Sequence, residues 1–156
     1  MTSGELEVRI GRLEDIEEIK KLKARFCFLL DTGGNWEELV NMFTEDGVGD
    51  FGSFGRYEGK AELTKFYRDT VPGGFSFLKH ILHNPVVEVN GDKATAEYYF
   101  ETAGTHKATR RAIWISGKYD DEYVKVDGVW KLKIQRSTTF YYSPQDSDWV
   151  KTPMYE

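Results

Sequence analysis

At Phe75 the hydrophobic rhythm of the chain changes, and that change restricts what it can fold into. Ahead of it, Ile19, Leu22, Phe26, Leu29 and Leu30 recur at three- and four-residue steps along IEEIKKLKARFCFLLD, one apolar stripe of a helix that ends on Asp31. Beyond it the period becomes that of strands. Phe75–Val89 and Lys93–Thr102 flank the turn signal Asn90-Gly91-Asp92, and Ala108–Val126 and Val129–Tyr142 flank Asp127-Gly128. Helices first and an antiparallel sheet afterwards predict an α+β layer architecture with the helices packed on the sheet.

The first half fills in that outline. Leu6–Leu30 reads as one long helix or two abutting ones, with Gly11 as the interruption, and Asp31–Asn35 is turn chemistry. Asn35 caps a short helix, WEELVNMF. Glu45–Gly59 interleaves five glycines with Val48, Phe51, Phe54 and Tyr57, which suits a strand and a bend bordering a ligand space. Lys60–Thr70 returns to helical spacing and Val71-Pro72-Gly73-Gly74 stops it. Residues 143–156 have loop composition, with Trp149 and Met154 available to dock on this chain or a neighbour.

At 156 residues, without a linker or a composition break, the chain is expected to form one domain, 1–156. A net charge of −5 and a pI near 5.3 repel a phosphate backbone, so nucleic acid is not an expected partner. Cys27 is the sole cysteine, which excludes an intrachain disulfide and fits a reducing, cytoplasmic setting. No stretch approaches the roughly 20 apolar residues of a membrane span. Aromatic residues reach 15% of the chain, enough for a bulky core or for the walls of an apolar cavity.

Two side chains stand out chemically. Asp31 closes a buried helix face, where a carboxylate loses hydration unless a donor meets it. His80, in FSFLKHILHNP, is an apt donor. An imidazole of ordinary basicity can take a proton from carbon if something orients the ring and offsets its positive charge, and Asp31 could do both. Such a pair is the acid–base part of a catalytic triad without its nucleophile, fit for proton abstraction followed by loss of a leaving group. The plainer alternative is a helix-end carboxylate and a structural strand histidine. Alternation back from Val87 and Val89 selects His83 rather than His80 for the inner face, unless a bulge at Asn84-Pro85 shifts the phase. The three histidines show no metal-binding spacing, and no glycine-rich phosphate loop or serine-hydrolase elbow occurs, so neither a metal nor a cofactor is expected.

The blocks LKARFCFLLD, NWEELVNMFTED, KHILHNPVVEVNGDKATAEYYFE and SGKYDDEYVKVDGVWKLK, in that order over residues 12–142, resemble the SnoaL-like group of the nuclear transport factor two-like proteins. Within that group the likeness is to bile-acid dehydratase, hexachlorocyclohexane dehydrochlorinase and scytalone dehydratase, all cofactor-free lyases. The resemblance implies a cone: a strongly curved antiparallel sheet wrapped by N-terminal helices around a deep pocket. It implies Asp31 and His80 as the catalytic pair, and a dehydration or related elimination, or else an isomerisation, on an apolar ring-containing molecule. Pocket walls are expected from Phe26, Val48, Phe51, Tyr98, Phe100 and Ile115. Phe26 stands where such enzymes carry a tyrosine or a lysine, Thr102 where one type carries a second aspartate, and Arg136 is the nearest substitute for a late-strand arginine that would fall near Thr139. These departures favour, as the alternative, a non-catalytic ligand-binding module. The group also implies a homodimer or homotrimer formed through the outer face of the sheet.

Overall fold

Thr2 starts the first helix. Its hydroxyl accepts from the Glu5 amide while the Glu5 carboxylate accepts from the Thr2 amide, so two of the otherwise orphaned N–H groups are satisfied. The computed structural model describes residues 2–147, 150–152 and 154. Helix α1 spans Ser3–Thr32 without a break at Gly11 and ends where Gly33 turns left-handed at φ 64°. Its first turns stand in solvent; from Ile19 onward one face, carrying Lys23, Phe26, Cys27 and Leu29, is buried. Helix α2, Trp36–Asn41, is capped by the Asn35 side chain, as its sequence predicts.

Strands β1 (Phe43–Asp50) and β2 (Arg56–Glu58) occupy the glycine-rich stretch, joined through a short 3-10 turn, Gly52–Phe54. Helix α3, Gly59–Lys65, runs into a π-helical turn, Phe66–Thr70, and then into α4, Val71–Gly74. The helical path therefore passes through Val71-Pro72 instead of stopping before it. Pro72 sits in the first turn of α4, where a missing N–H is tolerated.

The remaining strands are β3 (Phe75–Asn90), β4 (Lys93–His106), β5 (Arg111–Val126) and β6 (Val129–Pro144), in a sheet ordered β2-β1-β6-β5-β4-β3. The turns after β3 and β5 fall where the sequence places them, and Asp127 and Gly128 both take positive φ, as a tight hairpin requires. The sheet is curved, unclosed and mixed, where the sequence predicts only antiparallel neighbours. β1 runs parallel to β6, because it joins the last strand of the chain across a long connection and no hairpin dictates its direction.

The concave face of the sheet packs on the helices. Phe26, Phe43 and Tyr67 meet edge-on or tilted at ring-centroid distances of 5.6 to 6.2 Å, and each buried ring contributes roughly 1.5–3 kcal/mol by leaving water. No helix among the described residues is long and apolar enough to cross a membrane. Met154 forms an isolated parallel bridge to Tyr142, whereas Trp149 lies outside the described residues.

Candidate functional site

Strand β3 is an edge of the sheet, so alternate backbone amides on its open side lack a strand partner. The C-terminal turn of α1 lies along that side. There Asp31 uses both oxygens on one residue: Oδ2 accepts from the His80 backbone N–H at 2.8 Å, and Oδ1 lies 2.6 Å from His80 Nδ1. A carboxylate only accepts, so in the neutral imidazole the proton is on Nδ1 and Nε2 carries the lone pair. Both side chains are largely withdrawn from solvent, at 9% exposure for His80 and 16% for Asp31.

The phase conflict in β3 is resolved by a bulge. Pairing with β4 skips between His83 and Val86, and Asn84 takes φ 49°, so even-numbered residues face inward before the skip and odd-numbered ones after it. His80 therefore shares the inner face with Val87 and Val89, while His83 points outward, 3.6 Å from Glu101.

His80 lines a cavity of about 440 Å³ between the concave sheet and the α3–α4 segment. Phe51 and Phe54 wall it from the end of β1, Phe66, Tyr67, Thr70 and Val71 from the helical segment, and Phe100 and Tyr119 from the sheet. Its polar surface comes from Thr102, Gln135, Ser137 and Thr139, with His106 among the lining residues as well. Among the described residues no lysine, arginine, aspartate or glutamate lines it. Tyr67 donates to Gln135 Oε1 at 3.0 Å, and burial pushes the Tyr67 phenol well above its ordinary range, with the Asp121 carboxylate pushing the same way.

Of the residues the sequence proposes for the walls, Phe51, Phe100, Thr102 and Ile115 line the cavity. Phe26 does not: it is 1% exposed and fills the core between Phe43 and Tyr67. Tyr98 is likewise packed into the core, 3% exposed. Val48 faces away, because the inner positions of β1 belong to Gly47 and Gly49. A Cβ on Gly49 would meet the Phe51 ring at 2.7 Å, so the glycine makes room for that wall. Arg136 also faces outward, within 4.0 Å of Asp50 and Glu122 carboxylates. Its phase is inverted by a bulge: Tyr123 pairs with Leu132 but Glu122 with Ile134, so Lys133 is an extra residue and the inward set becomes Gln135, Ser137 and Thr139.

Those three residues, with Tyr67, Tyr119, His106 and the helical residues Phe66, Thr70 and Val71, are among the lining groups that sequence reasoning missed. The only advance signal for Gln135 is its place two residues beyond a lysine inside an otherwise alternating run. Cys27, on the same helix as Asp31, has its thiol pushed up to about 12, chiefly by burial.

A sequence profile of the SnoaL-like domain matches residues 11–136. An uncharacterised protein of Mycobacterium tuberculosis is 26% identical over 131 residues, 83% of this chain and 88% of that protein. Among solved structures, the hexachlorocyclohexane dehydrochlorinase LinA-type3 of Novosphingobium barchaimii superposes with a TM-score of 0.82 at 21% identity, covering 90% of this chain and 96% of that one. A putative scytalone dehydratase of Novosphingobium aromaticivorans gives 0.77 at 22% identity, over 87% and 91% of the two chains. At such identities these likenesses are of fold.

Proposed function

The chain belongs to the SnoaL-like domain family, and on that premise we propose that it is a cofactor-independent lyase that eliminates water or a related leaving group from an apolar, ring-containing small molecule. The observation that carries the reading is the bidentate hold of Asp31 on His80, ring and backbone together, at the wall of an aromatic cavity. With Nδ1 committed to Asp31, His80 Nε2 is the base. It takes a proton from a carbon next to an electron-withdrawing group, and the electron pair of that C–H bond becomes the second bond of an alkene as the neighbouring C–O bond breaks. Asp31 offsets the imidazolium charge. The same Nε2 then returns its proton to the departing hydroxide, so that water and alkene leave and the site is reset.

Dehydratase and dehydrochlorinase names among the structural neighbours support an elimination over other uses of such a base. Proton return to a different carbon would give an isomerase on the same pair. The second reading, a binding module without turnover, is favoured by Phe26 and Thr102, which stand where the resembling enzymes carry ionisable or phenolic groups. A screen of hydroxylated and halogenated cyclic compounds for release of water or halide separates them. His80→Ala should lower turnover on the order of 10²-fold or more. Turnover near wild type in that variant would contradict the role of His80, and no elimination from any screened compound favours the binding module.

The expected assembly is a homodimer or homotrimer. Phe77, Tyr99, Trp114 and Phe140, each 36 to 52% exposed on the outer face of the sheet, suit contact with a second copy.

A further inference from the structure

We propose that the Thr102 hydroxyl is the docking point for an uncharged oxygen of the substrate, carbonyl or hydroxyl, close to the carbon that His80 deprotonates, and that the substrate carries no formal charge. The proposal rests on the elimination reading and names the substrate chemistry of that same site.

Thr102 is 1% exposed and lines the cavity, yet its Oγ1 has no hydrogen-bond partner among the described residues. A buried hydroxyl left unpaired costs about 1–3 kcal/mol, and valine would fill the same volume without that cost. The position makes sense if a guest molecule supplies the partner as the Thr102 side chain turns its covered Oγ1 toward it. Thr102 also sits directly across from His80 in the β3–β4 ladder. Because the His80 N–H points away from β4 to Asp31, the two residues form a non-hydrogen-bonded pair, the arrangement in which facing side chains approach most closely. An oxygen held by Thr102 therefore lies beside whatever carbon His80 reaches. The absence of lysine and arginine from the lining, among the described residues, decides the charge. A carboxylate or phosphate entering this cavity would lose its hydration and find no lysine or arginine to replace it.

The test uses three bicyclic probes that differ only at one position, tetralin, 1-tetralone and 1-tetralol, together with a charged bicyclic probe, 1-naphthoate. Their binding is titrated against wild type, Thr102→Ser and Thr102→Val by calorimetry or chemical shift. The loss of one neutral hydrogen bond predicts that Thr102→Val weakens an oxygenated probe about fivefold while tetralin changes less than twofold, and that Thr102→Ser behaves as wild type. Either oxygenated probe responding in this way supports the proposal and tells carbonyl from hydroxyl. Equal effects of Thr102→Val on tetralin and both oxygenated probes overturn it, as does tighter binding of 1-naphthoate than of 1-tetralone to wild type. The infrared carbonyl stretch of 1-tetralone bound to wild type probes the same contact without any variant: a shift to lower wavenumber is expected, and its apolar-solvent position overturns the assignment. These are binding measurements, so they stand or fall separately from turnover by His80.

Discussion

Two buried charges meet above the core side of the cavity wall. Lys23 Nζ lies 2.8 Å from Asp121 Oδ2 and 3.7 Å from the centre of the Tyr119 ring, and both charged side chains are fully buried. Tyr123 donates to the same Oδ2 at 3.0 Å, while Oδ1 has no partner among the described residues. Burial pushes the Asp121 carboxyl up, against the pull of the Lys23 ammonium. Removing one member leaves the other uncompensated in a low-dielectric interior, so Lys23→Met should cost about 3–5 kcal/mol in urea unfolding. Adding Asp121→Asn, which keeps an acceptor for Tyr123 and removes the stranded charge, should recover much of that loss. A double variant no more stable than Lys23→Met would contradict the pairing. Asp31 was legible in the sequence because a carboxylate at the end of an apolar stripe demands a donor, whereas His80 was reached through the family resemblance, since alternation along its strand pointed to His83. Lys23 was not, since a lysine inside KKLKAR reads as one more solvated charge until its place on the stripe between Ile19 and Phe26 is weighed against a distant Asp121.

At the scale of elements, period and turns gave the helices, four long strands and two of the three hairpins, and bulges took away what period alone could promise. One extra residue, Lys133, turns Arg136 out and Gln135 in, and the skip after His83 exchanges odd for even along β3. Proline and asparagine announce the second event; nothing in Lys131-Leu132-Lys133 announces the first. The same limit hid the parallel pairing of β1, a contact between segments some ninety residues apart. Helix α1 is held against the β5–β6 hairpin by Asp15, which accepts from Lys125 at 2.5 Å and from Trp130 Nε1 at 2.8 Å. Partial burial raises the Asp15 carboxyl, but these donors outweigh it and hold the group below its ordinary value of 3.8. A folded pKa below the unfolded one stabilises the fold above the unfolded pKa, and the benefit fades as pH falls through the folded value. Asp15→Asn should therefore lower the urea midpoint at pH 7, and the gap from wild type should shrink on acidification below about pH 4. A gap that stays constant down to about pH 2.5 would contradict the clasp.

For the molecule as a whole, one side of the sheet encloses an aromatic cavity and the other exposes aromatic rings, Tyr99 and Phe140 lying 6.1 Å apart across it. If that outer face joins copies, sedimentation should show an assembly for wild type and a folded monomer for Phe140→Glu; a monomeric wild type at micromolar concentration would contradict the proposed homo-oligomer. The cavity side depends on where the end of α1 meets the edge of β3, and the tautomer of one ring reports that meeting. Long-range ¹H–¹⁵N correlation at about pH 8.5, where an ordinary imidazole is neutral, should show His80 protonated at Nδ1 with Nε2 bare, and Asp31→Asn should disturb that pattern. A His80 ring protonated at Nε2 in the wild-type protein would leave the cavity without its base and contradict the account.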